Sequence, residues 1–184
     1  MKAARSLKGR ALQYLAQREH SPLELQRKLM PYARAEVEAA EADALAQASG
    51  ASGAAPARLD AAARVEAVIG WLVAHDYLSA ERFVEARMHA RAARFGNLRI
   101  SQEIKQHALT MPPEAVRALK DSELARARAA RARKFAEPPS SPAEHARQAR
   151  FLSGRGFAPE VIRRALRDAA SSRPDTEEPL ADNL

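Results

Sequence analysis

Apolar residues recur along most of the chain at spacings of three and four, which is the pattern of amphipathic helices. In residues 4–18, for example, Leu7, Ala11 and Leu15 fall on one face of a helix. The chain has no run in which Val, Ile, Thr and aromatic residues alternate with polar ones, and it has no Asn-Gly or Asp-Gly hairpin turn. The pattern therefore predicts an all-α protein with about nine helices.

Two predicted helix starts share the sequence motif Ser-Pro-x-Glu, at residues 21–24 and 141–144. A serine at the N-cap accepts a hydrogen bond from a free backbone N–H, and a proline at the first helical position has no N–H to leave unpaired. The glutamate can reach back to the cap, and its charge suits the positive end of the helix dipole. We therefore interpret both segments as helix caps and assign them no catalytic role.

The predicted helices fall into three sets of three. The third helices can be aligned on one another, and their sequences read VEAVIGWL, PEAVRAL and PEVIRRAL. This weak repeat of about 50 residues predicts an elongated stack in which each three-helix unit mainly contacts its neighbours. We expect the units at 1–78, 79–120 and 121–170, followed by a disordered acidic tail at 171–184. The alternative is one globule of unrelated helices, because capping boxes are common.

Residues 33–63 lengthen the first unit and differ from it in composition. They are rich in Ala and acidic residues, lack an apolar stripe, and contain the low-complexity segment ASGASGAAPA. We expect an extended, solvated helical segment followed by a flexible loop. Because this stretch offers neither a buried face nor reactive groups, a linker insertion without function of its own is the simplest interpretation.

Composition narrows the class of protein and of partner. The chain has no cysteine, only 5% aromatic residues, and a formal net charge of +7. Disulfides, thiolate zinc sites and cysteine nucleophiles are excluded, and no stretch approaches the roughly 18 apolar residues of a membrane-spanning helix. We therefore expect a soluble, cytoplasmic protein. The basic surplus favours a polyanion, or a complex that contains one, over the alternative of a merely soluble basic surface.

The chain contains no recognisable catalytic or metal-binding set. No two histidines have the i, i+4 spacing of a helical zinc site, and no glycine-rich phosphate loop is present. The short GRG at 154–156 is predicted to turn the chain between two helices. We expect a non-enzymatic protein without metal or cofactor. The histidines, each expected at the surface or at a helix end, are His20, His75, His89, His107 and His145.

Basic residues concentrate in the second and third predicted units. Arginine presents planar donors suited to phosphates and carboxylates, although any single arginine can equally belong to a solvated helix face. Arg87, Arg91 and Arg94 have the spacing of one helix face, whereas those of residues 122–136 scatter around their axis. Aromatic residues are too few for a base-stacking platform. The candidate contact residues are Arg87, Arg91, Arg94, Arg99, Lys105, Arg126, Arg131, Arg147, Arg150 and Arg155.

Three segments, in order, resemble the RecX family, whose members regulate the RecA recombinase. They read ALQYLAQREHSPLELQRKL, YLSAERFVEARMHARAARFGNLRISQEI and RQARFLSGRGFAPEVIRRAL, and Arg155-Gly156-Phe157 is the most distinctive element. The similarity extends from about Leu7 to Ala169. It departs from the family where Asp76 and Ala108 replace glycines, where Ala80 replaces an aspartate, and in the long 33–63 insertion.

The resemblance implies a curved stack of three three-helix repeats without enzymatic activity. It also implies binding to RecA, and in particular to the RecA filament on single-stranded DNA, in the helical groove of that filament. We expect the protein to be a monomer. Members restrain strand exchange, ATP hydrolysis and the coprotease function, and thereby modulate homologous recombination, DNA repair and the SOS response. The alternative is a helical-repeat protein that binds nucleic acid directly, without RecA. Weak direct binding to DNA is compatible with both.

Overall fold

A computed structural model describes residues 5–48 and 60–171, and that part of the chain is helical with no strand. The prediction of an all-α protein is confirmed. The helices are α1 (Leu7–Leu15), α2 (Pro22–Ala48), α3 (Ala61–Ala74), α4 (Ala80–Ala92), α5 (Asn97–Lys105), α6 (Pro113–Lys134), α7 (Pro142–Gly154) and α8 (Pro159–Ser171).

The described residues form eight helices, against an expected count of about nine. The two helices predicted within residues 110–136 are one continuous helix, α6. Ser122 is not a helix cap, because its hydroxyl donates to the carbonyls of Ala118 at 2.8 Å and Leu119 at 3.2 Å in the preceding turn. No glycine or proline separates the two halves, so the backbone has no reason to break there.

Both Ser-Pro-x-Glu segments cap helices as predicted. The hydroxyls of Ser21 and Ser141 accept hydrogen bonds from the backbone N–H groups of Glu24 (3.0 Å) and Glu144 (3.3 Å). The expected return contact from each glutamate to the cap differs in detail. The carboxylate of Glu24 pairs with Arg18, and that of Glu144 accepts from the backbone and hydroxyl of Ser140, one residue before the cap.

The described chain divides into two compact units. The first contains Met1–Ala86 and Gln106–Leu109, and the second contains Arg87–Lys105 and Thr110–Leu184. The expected boundaries of three repeats stay a prediction. In the 33–63 insertion, α2 continues past Pro31 as far as Ala48, which gives the expected helical segment. The predicted loop at 49–59 and the tail from 172 onward lie outside the described residues.

The first unit has a leucine-rich core with a buried polar group at its edge. Ser21 is fully buried, and its Oγ lies 2.8 Å from Nδ1 of His107. His20 precedes α2 as expected, but it is buried rather than at the surface, and its Nδ1 lies 2.9 Å from the carbonyl oxygen of Arg18. The buried apolar residues of this core are Leu7, Ala11, Leu25, Leu29, Ala33, Val65, Leu72 and Leu78.

Two turns of the first unit adopt left-handed backbone conformations without glycine. Asp76 has a φ of 61° and Ala108 has a φ of 57°. These are two positions at which the resemblance described above predicts glycine. A Cβ in this region crowds the following carbonyl, so the chain holds local strain at both turns.

The second unit has a small-residue core and a glycine turn. Gly156 has a φ of 79° and joins α7 to α8, so the predicted turn at 154–156 is confirmed. Gly96 lies in the turn between α4 and α5, four residues after the end of α4 at Ala92. The buried apolar residues of this core are Ala127, Ala130, Leu152, Phe157, Ile162, Ala165 and Leu166.

Candidate functional site

Four arginines of the second unit gather around one ring, that of Phe95, in the turn between α4 and α5. The ring centroid lies 4.4 Å from the guanidinium carbon of Arg99 and 5.4 to 5.9 Å from those of Arg91, Arg94 and Arg155. Arg91, Arg94 and Arg99 lie within four residues of Phe95 in the sequence, and Arg155 reaches the ring from the turn after α7. The fold therefore adds a distant arginine to a local basic cluster, with favourable cation–π contacts.

Two of these arginines share one carboxylate of the fold. Nε of Arg91 donates to Oε2 of Glu103 at 2.9 Å, and Nε of Arg99 lies 3.6 Å from Oε1 of the same carboxylate. The expectation that Arg87, Arg91 and Arg94 share one helix face is wrong for Arg94, because α4 ends at Ala92. Arg94 instead lies in the turn that follows.

A buried polar junction holds the turn after α4 against the turn between α7 and α8. At its centre, Oε1 of Glu123 accepts from the backbone N–H of Asn97 at 3.0 Å and of Ala158 at 3.4 Å. Oε2 accepts from Nδ2 of Asn97 at 2.9 Å. Glu123 is only 4% exposed, so its charge is stabilised by these donors and not by water.

Two glycines let the backbones meet at this junction. The N–H of Gly96 donates to the carbonyl of Arg155 at 2.9 Å, and the N–H of Leu98 donates to that of Gly156 at 3.1 Å. A Cβ on Gly96 would lie 2.2 Å from the carbonyl oxygen of Gly156, closer than any real contact. Gly96 is therefore needed for close backbone approach and not for a left-handed cap.

Arg126 of α6 completes the junction, and all of its guanidinium donors form hydrogen bonds there. Burial lowers the pKa of its guanidinium, an effect that the nearby carboxylate of Glu123 opposes. All five N–H groups of the guanidinium are engaged, so this candidate residue has a structural role. Its acceptors are the carbonyls of Ala92, Phe95 and Leu119, Oδ1 of Asn97 and the hydroxyl of Ser122.

A second candidate, Arg131, is also held inside the fold. It is 9% exposed, and its Nη1 donates to the carbonyl of Glu137 at 3.0 Å and to Oε1 of Gln148 at 3.3 Å. The remaining candidates lie nearer to solvent. Arg94, Arg99, Lys105, Arg147 and Arg150 are exposed, and Arg87, Arg91 and Arg155 are half-buried.

A cavity of about 180 Å³ opens beside Phe151 in the second unit. We call it the cationic pocket. Of its six lining residues, four are basic and none is acidic. They come from the turn after α4, the last two turns of α6, and the C-terminal end of α7. The lining residues are Arg94, Ala130, Arg133, Lys134, Phe151 and Arg155.

The sequence indicated most of the arginines of this region, but it did not indicate the residues that they contact. Glu123, Arg133 and Lys134 were not among the candidate contact residues, although the first anchors the junction and the other two line the pocket. The available signal was the pair of glycine motifs, Phe95-Gly96-Asn97 and Arg155-Gly156-Phe157, which meet in space. Their 60-residue separation hides that contact from local patterns.

Two features are absent from residues 5–48 and 60–171, a metal-binding cluster and a membrane-spanning helix. No cluster of three His, Asp or Glu side chains there is arranged to hold a metal ion. No helix in that part of the chain has the length and apolar character needed to cross a bilayer.

Comparisons with known proteins agree on one family. The family model described as "RecX, third three-helix domain" matches residues 121–166. The protein named "Regulatory protein RecX" of Ralstonia nicotianae is 38% identical over 95% of this chain and 95% of its own length. Proteins of the same name from Leptothrix cholodnii and Herbaspirillum seropedicae are 42% and 41% identical, over 88% and 89% of this chain and 88% and 91% of their own.

Proposed function

The chain belongs to the RecX family, and from that premise we propose that it is a non-enzymatic regulator of RecA. It binds RecA and the filament of RecA on single-stranded DNA, and it inhibits the recombinase, ATPase and coprotease activities. Through this inhibition it modulates DNA repair and the SOS response. It acts in the cytoplasm as a monomer. The observation that carries the proposal is the alignment of named regulatory relatives along nearly the whole chain.

The contact surface of this proposal is the exposed basic face of the second unit. Arg126 and Arg131 are left out of it, since their donors are already bonded within the fold. The exposed candidates can exchange hydration for contacts with carboxylates of RecA or phosphates of DNA, and charge-assisted bonds of this kind are the stronger ones. Those candidates are Arg94, Arg99, Lys105, Arg147 and Arg150.

A titration of RecA on single-stranded DNA tests the proposal directly. Added protein should lower the rate of ATP hydrolysis in a saturable manner. An unchanged rate at saturating protein would refute the proposal. Arg147→Glu with Arg150→Glu should weaken inhibition, and Arg163→Glu with Arg164→Glu on α8 is the control of equal charge change, since all four arginines are exposed.

A second candidate function is direct binding of nucleic acid without RecA. The observation that favours it is the α7–α8 pair, two helices joined by a short glycine-containing turn, with Arg163, Arg164 and Arg167 exposed on α8. Helix-turn-helix proteins use a helix pair of this kind. Under this function, DNA binding should be tight without RecA, and log affinity should fall steeply with log salt. Weak binding with a shallow slope favours the RecA-dependent function.

A further inference from the structure

We propose that the cationic pocket binds a phosphate group, such as a phosphodiester of single-stranded DNA. This inference deepens the proposed function, on which it rests for the nature of the ligand. The proposal assigns phosphate binding to four of the thirty Lys and Arg residues of the chain. Two of these four, Arg133 and Lys134, were not among the candidate contact residues. Free phosphate and a phosphodiester both present a tetrahedral oxyanion. Donors from three segments of the second unit would hold it.

The charge of the pocket is not balanced within the described residues. None of Arg94, Arg133, Lys134 and Arg155 forms an ion pair there, whereas Arg91 and Arg99 nearby share Glu103. The hydrogen-bond acceptors that Arg133 and Arg155 do have are neutral carbonyls. Like charges gathered in a concave site focus a positive potential, which attracts an anion.

Arg155 is held in place before any ligand arrives. Its Nη1 donates to the carbonyl of Arg94 at 3.0 Å, and its guanidinium lies 4.5 Å from the centroid of the Phe151 ring. Its Nε is buried and has no acceptor within the described chain. A side chain fixed in this way loses little conformational entropy on binding, so more of the contact energy appears as affinity.

The end of a helix attracts cations for structural reasons, because the last carbonyls carry partial negative charge. That explanation covers Arg133, whose Nε donates to the carbonyl of Ala129 in α6 at 3.2 Å. It does not cover Arg94 or Arg155, which come from other segments. Nor does it cover Lys134, whose ammonium makes no hydrogen bond or ion pair with the described residues although it lies in the last turn.

The geometry favours phosphate over carboxylate. A carboxylate is planar and presents two oxygens on one side, where a single arginine can hold both. A phosphate presents oxygens in several directions, which suits donors that surround a cavity from the turn after α4, from α6 and from the end of α7. A volume of about 180 Å³ admits such a group with part of the attached chain.

The test uses the full chain and the double substitution Arg94→Gln with Lys134→Gln. Both side chains are exposed, so the fold should be kept, whereas Arg155 is avoided because it also supports the fold. The matched control is Arg117→Gln with Lys120→Gln, which removes the same charge from exposed positions of α6 outside the pocket. Binding to a fluorescent oligothymidylate is measured by polarisation across a range of salt concentrations.

The pocket variant should lower the slope of log affinity against log salt by about 0.7, the value of one phosphate contact on a single strand. The control should leave the slope unchanged. Equal slopes for wild type and pocket variant, or an equal fall in the control, would overturn the proposal.

Inorganic phosphate separates the possible sources of the ligand. At constant ionic strength it should shift the backbone amide resonances of Phe151 and Arg155 in wild type and not in the pocket variant. Such a shift at millimolar concentrations assigns the site to free phosphate as well as to DNA, and slope loss without it assigns the site to the phosphodiester. Polyglutamate and a phosphate polymer are compared as competitors of the oligonucleotide. Equal competition by the two would contradict the phosphate assignment. RecA ATPase inhibition is recorded separately, so failure of the proposed function and failure of the pocket give different results.

Discussion

The polar junction and the cationic pocket lie in the same unit and use the same residue types, yet they are built in opposite ways. In the junction, Arg126 places all five of its N–H donors on acceptors of the fold, and Glu123 supplies a buried carboxylate. In the pocket, Arg155 has one acceptor for its guanidinium, and Arg94 and Lys134 have none within the described chain.

This difference shows which arginines are available to a partner. A guanidinium whose donors are used inside the fold stabilises the protein, and its removal leaves buried carbonyls unpaired. A guanidinium without acceptors adds little to stability but keeps its charge for a ligand. The number of arginines in a segment therefore says little about function until the acceptors of each one are known.

The largest effect is expected from a methyl group placed in the junction. Gly96→Ala should destabilise the protein by at least about 3 kcal/mol, since its Cβ would press on backbone atoms of Gly156 and Phe157 that cannot move independently. Denaturant unfolding measures the change. Gly154→Ala, where a Cβ meets open space, is the control and should be nearly neutral.

A smaller effect is expected from removing the charge at the centre of the junction. Glu123→Gln keeps the shape but provides one acceptor oxygen in place of two, which leaves a buried donor unsatisfied. The free energy of unfolding should fall by about 2 kcal/mol. Glu114→Gln in the exposed first turn of α6 should change it by less than about 0.5 kcal/mol. Equal effects would mean that Glu123 does not hold the junction.

The strained turns of the first unit contrast with the turn at Gly156, since they lack the glycine that their left-handed backbone favours. Ala108→Gly should raise the free energy of unfolding by about 0.5 to 1 kcal/mol through relief of the left-handed conformation. Asp76→Gly should gain less, because aspartate tolerates this region better and Oδ1 of Asp76 accepts from Arg82 at 3.2 Å. A loss of stability in both variants would contradict this account of the turns.

The smallest effect on stability is expected in the pocket. Arg94→Gln with Lys134→Gln should change the free energy of unfolding by less than about 0.5 kcal/mol, because neither side chain forms a hydrogen bond or ion pair within the described chain. The only charge-dependent contact described for either one is the exposed Arg94 guanidinium, 5.8 Å from the centroid of the Phe95 ring. Thermal unfolding compared with wild type measures this. A loss comparable to that of Glu123→Gln would remove the distinction between pocket and junction.

The helices could be predicted from the sequence, because their signals are local. The capping serines Ser21 and Ser141 and the glycine turn at Gly156 all lie where their residue types indicate. The prediction of two helices in place of α6 also came from a local signal. Asp121 and Ser122 look like a helix start, but a cap forms only if the backbone breaks, and nothing in that segment breaks it.

The division of the arginines could not be predicted from the sequence, because it depends on acceptors far along the chain. Arg126 and Arg94 look alike in a list of basic residues. The first is bonded to carbonyls about 30 residues away, which are positioned only when Gly96 meets Gly156. Long-range backbone contacts of this kind leave no periodic signal. The burial of His20, expected at a helix end, depends equally on the packing around it.

The central claim is that the unpaired cations of the pocket, and not exposed cations elsewhere on the fold, act on the RecA filament. The most direct measurement is the concentration of protein that halves RecA ATP hydrolysis on single-stranded DNA. For Arg94→Gln with Lys134→Gln, that concentration should rise about tenfold, the equivalent of one charge-assisted hydrogen bond, and Arg117→Gln with Lys120→Gln should leave it unchanged. Equal inhibition by wild type and both variants, or an equal loss in both, would contradict the claim.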